Sequence, residues 1–347
     1  MELMFITVLL VAGFYVGWNI GANDAANCIG TAVGCGAISY RRAAILMGLF
    51  VILGGVLQGH HVMKTVGKGI VVTSEAAYES HNKEPVPAEF DEHFPDDRLP
   101  DLAILVALVS AGFFVTLATF FSVPVSTSQA IVGGVAGVGV GLVGLEPEYF
   151  KLAVLGKILG AWMISPVLTA TLAFGVYSLF GALLRNAKGL VWNNVLSMLV
   201  IASICYVSYS LGANDVGNAI GPLLNRFPDH GVYLAVLGGV AMATGALTFG
   251  QRVTATVGKS ITPLDLTGAF AAQASAAAGV HLFSVLGIPV STSQAVVGAV
   301  VGVGLTKGVA AVSRKKITTI ASGWVLAPTL AAIFAALVFR LLVAILN

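Results

Sequence analysis

Apolar residues run through this chain in long blocks. Residues 43–58, 102–121, 152–184, 195–211, 232–250, 266–287 and 317–346 are nearly unbroken apolar stretches. Each is close to the roughly 20 residues that a helix needs to cross a bilayer. Four more stretches are apolar but interrupted: residues 3–38, a counterpart around Gly212, and the two that follow Pro124 and Pro289. Gly, Asn, Asp, Pro and Ser at those interruptions disfavour a continuous helix. Backbone released there cannot face lipid and has to line a cavity in the protein. The pattern predicts an all-α polytopic membrane protein with discontinuous helices.

The chain repeats itself. Gly21-Ala22-Asn23-Asp24-Ala25-Ala26-Asn27 returns as Gly212-Ala213-Asn214-Asp215-Val216-Gly217-Asn218, 191 residues later. The same offset relates Thr65-Val66-Gly67-Lys68 to Thr256-Val257-Gly258-Lys259. Pro124-Val125-Ser126-Thr127-Ser128-Gln129 returns as Pro289-Val290-Ser291-Thr292-Ser293-Gln294, now 165 residues on, and Trp162 and Pro166 match Trp324 and Pro328. The offset shortens because part of residues 74–101, the strongly acidic stretch, has no partner. Two homologous units follow, residues 1–190 and 191–347. The acidic stretch, with Pro85, Pro87, Pro95 and Pro100, is expected to be a mobile loop outside the membrane.

Composition excludes the soluble alternatives. Of 347 residues, 57% are hydrophobic and 10% charged, and mean hydropathy is +0.92. A water-soluble domain carries about 25% charged residues. A net charge of +2 offers no surface for nucleic acid. Cys28, Cys35 and Cys205 lie in apolar sequence and read as small hydrophobes, not a disulfide framework. The acidic second residue argues against a cleavable signal peptide, so the first stretch reads as a retained membrane segment.

Charge also orients the chain. With Arg41-Arg42 on the cytoplasmic side and five crossings per half, Arg185, Lys188, Arg252, Lys259, Lys307, Arg314, Lys315 and Lys316 also fall inside. Asp265 is then the single acidic residue on that side. Five is odd, so the halves have opposite orientations. Many secondary transporters use such an inverted repeat, with broken helices meeting at a midplane site.

Two acidic residues, Asp24 and Asp215, lie within strongly apolar sequence. A carboxylate inside a membrane costs a few kcal/mol and marks a functional site by default. Asn27 and Asn218 each stand one turn further on, so carboxylate and amide oxygens can face one point. Oxygen ligands without Cys or His suit a hard cation. The Pro-Val-Ser-Thr-Ser-Gln segments resemble helix N-termini, where free N–H groups and hydroxyls attract an anion. The competing reading is that these hydroxyls bond their own backbone.

The paired Gly-Ala-Asn-Asp and Pro-Val-Ser-Thr-Ser-Gln segments resemble the PiT family of inorganic phosphate transporters over nearly the whole chain. The resemblance implies a secondary transporter, not an enzyme. It would carry phosphate across the plasma membrane with sodium as coupling ion and no other cofactor. Proton-coupled or metal–phosphate symport, and sulfate transport on the same fold, are the alternatives. Sodium is expected at Asp24, Asn27, Asp215 and Asn218. Phosphate is expected at Ser126, Thr127, Ser128, Gln129, Ser291, Thr292, Ser293 and Gln294, with Asn23 and Asn214. Gln273, Thr65 and Thr256 are further candidates. The expected partners are phosphate, sodium and the lipid bilayer; a homodimer is compatible with the reading, and nucleic acid is not. Some relatives carry glutamate where this chain has Val51 and Gln273. Three other features have plainer readings: Lys68 and Lys259 snorkel, His60-His61 sits at an interface, and the glycines of residues 133–144 pack helices closely.

Overall fold

The structure, a computed structural model, describes residues 2–87, 89–120, 125–183, 190–251, 254, 264–308 and 314–346. Among these the chain is helical throughout, and its β content is one isolated bridge between Val71 and Phe150. The first half contains α1 (Glu2–Gly34), α2 (Tyr40–Gln58), α3 (His60–Lys68), α4 (Glu75–Asn82), α5 (Phe90–His93), α6 (Asp101–Phe120), α7 (Thr127–Val143) and α8 (Leu152–Leu183). The second half contains α9 (Leu190–Leu211), α10 (Gly217–Ile220), α11 (Gly231–Thr248), α12 (Leu266–Val285), α13 (Thr292–Thr306) and α14 (Arg314–Leu346).

Seven of the described helical segments are long and apolar enough to cross a membrane, whereas α7 and α13 are apolar but shorter. Ile45, Leu49, Leu53 and Leu57 form an exposed row at four-residue spacing along α2. Met163, Val167, Val325 and Leu337 are likewise exposed on α8 and α14. Such rows are unfavourable in water and suit acyl chains. The protein is a multi-pass membrane protein.

Helix contacts come in matched pairs. Helix α1 packs on α11, and its counterpart α9 packs on α2; α7 packs on α14, and its counterpart α13 packs on α8. Glycines make the closest approaches. A Cβ on Gly21 would lie 1.9 Å from the Met242 carbonyl oxygen, and one on Gly212 would lie 2.1 Å from that of Val51. These are equivalent positions in the two halves. Gly133 and Gly137 lie against Pro328 and Ala332, while Gly298 and Gly302 lie against Pro166 and Ala170. The glycines of α7 therefore serve close packing, as expected.

The same contacts fix direction. Gly17 meets Gly238 and Ala241, and Gly245 meets Ala22, so α1 and α11 run parallel. Gly48 meets Ala243 and Gly239 meets Ile52, so α2 and α11 are antiparallel. Gly212 meets Val51 and Gly55 meets Val216, so α9 runs parallel to α2. It follows that α1 and its counterpart α9 point in opposite directions.

Two expectations need correction. Helix α1 continues unbroken through Gly21–Asn27, with the polar side chains there bonding sideways. The break falls in the second copy. Gly212–Val216 forms a π-helical turn, followed by α10 and a 3₁₀ turn at Gly221–Asn225. Pro222, absent from the first copy, removes an N–H and forbids continuation.

The acidic stretch is also more ordered than a featureless loop. It contains α4, α5 and a 3₁₀ turn at Pro95–Asp97. Tyr78, Phe90 and Phe94 are buried there with Tyr149. Tyr78 lies 5.5 Å from Phe90 and 5.4 Å from Tyr149 between ring centroids. Its aromatic residues outweigh its prolines, since each buried ring contributes a large apolar area.

Candidate functional site

Helices α7 and α13 begin in the protein interior. At 17 and 15 residues they are shorter than a full crossing, and Ser126 and Ser291 at their starts are buried. Each serine is extended, at φ −84° in both copies, and its Oγ accepts the N–H of the glutamine three residues on. Those bonds are 3.3 Å to Gln129 and 3.2 Å to Gln294. The two segments are thus N-caps, with the remaining first-turn N–H groups directed inward.

Asp24 on α1 and Asp215 on the π turn are fully buried beside them. Thr127 Oγ1 donates to Asp24 Oδ2 at 2.9 Å, and Thr292 Oγ1 donates to Asp215 Oδ2 at 2.7 Å. Asn27 Nδ2 donates to Asp24 Oδ1 at 2.9 Å, and Asn218 Nδ2 to Asp215 Oδ1 at 2.8 Å. The adjacent serines cross over. Ser128 Oγ lies 3.0 Å from Asp215 Oδ1, and Ser293 Oγ lies 3.4 Å from Asp24 Oδ1. These serines also approach the carbonyls of Val290 (2.7 Å) and Val125 (3.1 Å). Asn27 Nδ2 reaches Ser293 Oγ as well, at 2.8 Å.

The four sequence segments therefore meet at one centre. Asp24, Asn27, Asp215, Asn218, Thr127, Ser128, Thr292 and Ser293 form one hydrogen-bonded cluster, with Ser126, Gln129, Ser291 and Gln294 as its helix starts. Asn214 grips the backbone of Val290, donating to its oxygen at 2.7 Å and accepting its N–H at 3.1 Å. Asn23 Nδ2 donates to Thr119 on α6 at 3.1 Å. In these bonds the two asparagines act as struts.

Other candidates stand apart. Gln273 uses both ends of its amide: Nε2 donates to the Cys28 carbonyl at 2.7 Å, and Oε1 accepts from Ser203 at 2.8 Å. It ties α12 to α1 and α9. The Thr65 hydroxyl faces the His61 carbonyl of its own helix at 3.4 Å. Thr256 lies outside the described residues, as does Lys259. His60 and His61 are exposed, in keeping with an interfacial reading. Cys28 is buried, while Cys35 and Cys205 are partly so.

Some supports were missed in the sequence. Tyr15 pairs with Thr116, which also donates to Asn19 at 2.8 Å. At the equivalent place Tyr206 meets His281 at 3.0 Å. The repeat offsets relate Tyr15 to Tyr206 and Thr116 to His281, so aligning the halves beyond their motifs would have found both. Trp162 Nε1 donates to the Pro289 carbonyl at 3.0 Å and steadies the second motif.

Chemically the centre fits a hard cation beside an anion. The side-chain oxygen of Asn218 is a buried acceptor without a hydrogen-bond partner, and an acceptor left over suits a cation. Hydroxyls and helix N-termini supply the donors that an oxyanion needs.

The chain is similar to known phosphate transporters along nearly its whole length. The sequence profile of the phosphate transporter family matches residues 20–335. A protein of Pyrococcus abyssi assigned as a phosphate permease is 30% identical, covering 97% of this chain and 98% of its own. An inorganic phosphate transporter of Arabidopsis thaliana, a chloroplastic protein, is 27% identical over 91% of this chain and 68% of its own. The solved structure titled the sodium-dependent phosphate transporter superposes with a TM-score of 0.83 at 29% identity, covering 99% of this chain and 100% of that one.

Proposed function

The chain belongs to the phosphate transporter family, and we propose that it carries inorganic phosphate across the plasma membrane by sodium-coupled symport with alternating access. The observation that carries this reading is the pairing of two buried aspartates with the hydroxyls of two buried helix starts. In this assignment sodium is held by Asp24, Asn27, Asp215 and Asn218. Phosphate is held by Ser126, Thr127, Ser128, Gln129, Ser291, Thr292, Ser293 and Gln294, with Asn23 and Asn214 shaping the pocket.

Electrostatics supplies the coupling. Two carboxylates and a phosphate in one dry site repel by roughly 3 kcal/mol per pair at about 5 Å, even at an effective dielectric near 20. Cations between them remove that repulsion, so each ion strengthens binding of the other by the same factor. A carrier needs such mutual dependence. The antiparallel run of α1 and α9 supports a division into inverted repeats, 1–190 and 191–347, that rock against each other around the fixed centre.

The test is phosphate uptake into proteoliposomes under separate sodium and pH gradients. Uptake driven by an inward sodium gradient alone is expected. Uptake that follows the pH gradient alone would replace sodium with protons. Competition by sulfate at equal potency would redirect the substrate.

A further inference from the structure

A hydroxyl has one proton to give. At this centre the Thr127 and Thr292 protons are given to Asp24 Oδ2 and Asp215 Oδ2. Those of Ser128 and Ser293 are shared between a carboxylate oxygen and a backbone carbonyl. These are the same hydroxyls that would face phosphate. Phosphate oxygens are acceptors, as carboxylate oxygens are, so the two anions compete for the same protons. Charge repulsion is therefore only part of the coupling.

We propose, resting on the sodium–phosphate reading above, that a cation on each aspartate releases these hydroxyl protons to phosphate. A cation occupies the carboxylate lone pairs that now accept the protons. Each hydroxyl then rotates about its Cβ–O bond and offers its proton to the other anion. No covalent bond forms or breaks. The order of loading follows: cation first, then phosphate.

The exchange is crossed for the serines and direct for the threonines. Asp24 accepts from Thr127 of its own half and Ser293 of the other, while Asp215 accepts from Thr292 and Ser128. Loading one aspartate therefore prepares donors on both motif helices. Neither half can assemble its phosphate donors alone. This links two cations to one phosphate through named bonds.

The consequence separates this device from its rivals. Removing a hydroxyl relieves the competition, so sodium should bind more tightly in the absence of phosphate. Repulsion alone predicts no change in sodium affinity. A hydroxyl that is itself a sodium ligand predicts weaker binding.

The experiment is calorimetric titration of the purified full chain with sodium, without phosphate, for Thr127→Val, Thr292→Val and Ser128→Ala. Sodium should bind about tenfold more tightly to the threonine variants, the size of a hydrogen bond to a charged group. Phosphate titrated at saturating sodium should bind about tenfold more weakly. Thr127→Ser and Thr292→Ser keep the donor and should match the unaltered chain; melting curves identify any variant that does not fold. The crossing is tested by a double-mutant cycle. Ser128→Ala should be more strongly non-additive with Asp215→Asn than with Asp24→Asn. Unchanged or weaker sodium binding in both valine variants overturns the proposal, and coupling of Ser128 to Asp24 as strong as its coupling to Asp215 overturns the crossing. Failure of the unaltered chain to take up phosphate would instead remove the transport reading itself.

Discussion

Ser128 Oγ stands 3.0 Å from Asp215 Oδ1, although the two residues belong to different halves of the chain. Its counterpart, Ser293 with Asp24, repeats the relation at 3.4 Å. The centre is therefore shared and not duplicated. A change to one aspartate should be felt by both motif helices.

Asp24→Asn tests this. The amide keeps the shape and one acceptor but loses the charge. Sodium affinity should fall most, and phosphate affinity should fall with it through linkage. Raising sodium should partly restore phosphate binding, as read by titration of the purified variant. Normal sodium binding would remove Asp24 from the cation site.

How much of this could be read from the sequence depends on what decided each feature. The apolar blocks were legible because lipid imposes a length and a polarity on every span. The repeat was legible because its motifs are nearly identical. The fate of the two Gly-Ala-Asn-Asp copies was not, since the same residues are α-helical in one and π-helical in the other. Pro222, where the first copy has Thr31, accounts for the 3₁₀ turn at Gly221–Asn225 and does not reach the π turn before it. Nor could the sequence tell which serine meets which aspartate, because crossing is a property of the assembled halves. The aromatic core of residues 74–101 was hidden by their acidity and prolines, and Tyr149, which completes it, lies far along the chain.

The glycine contacts make a stability prediction with an internal control. A Cβ at Gly245 would sit 1.9 Å from the Trp18 carbonyl oxygen, with rigid helix backbone on both sides. Gly245→Ala should cost at least the ~1–3 kcal/mol of an overpacked core and lower the yield of folded protein. Gly156, on exposed α8, has nothing within 4 Å of its Cβ position. Gly156→Ala should leave the melting temperature unchanged or raise it, by up to about 1 kcal/mol in stability. Equal behaviour of the two variants in thermal unfolding would discredit the close α1–α11 seam.

The acidic lobe has a pH signature. Burial, with Glu148 beside it, pushes the Tyr78 phenol up to about 12 from an ordinary 10.0. The folded lobe holds that proton more tightly than the unfolded lobe does. Its contribution is intact below about pH 10 and is lost as pH rises through 12. Tyrosinate absorbance of the unaltered chain minus that of Tyr78→Phe should show a group titrating near the upper value. A difference centred near 10 would mean that Tyr78 is solvated.

Gln273 decides between support and ligation. Its place in an apolar helix ahead of the second Ser-Thr-Ser motif makes it a further candidate for the site. In this chain the amide is spent at both ends, on the Cys28 carbonyl and the Ser203 hydroxyl. Cys28 lies one turn beyond Asp24, so Gln273 positions the aspartate's helix and does not reach past it. Gln273→Leu keeps bulk but removes the second hydrogen bond of the Cys28 carbonyl, which stays in the α1 ladder, and leaves Ser203 with the Val200 carbonyl as its acceptor. Each lost bond costs about 0.5–1.5 kcal/mol, because both groups keep another partner. The melting temperature should drop clearly, while sodium and phosphate affinities of the protein that remains folded stay within about twofold, well under the tenfold that a lost ligand bond would give. Gln273→Glu, which keeps an acceptor for Ser203 but turns a carboxylate oxygen toward the Cys28 carbonyl, should be less stable than the glutamine. A tenfold loss of sodium affinity in Gln273→Leu, without a loss of stability, would make Gln273 a ligand and this account of it wrong.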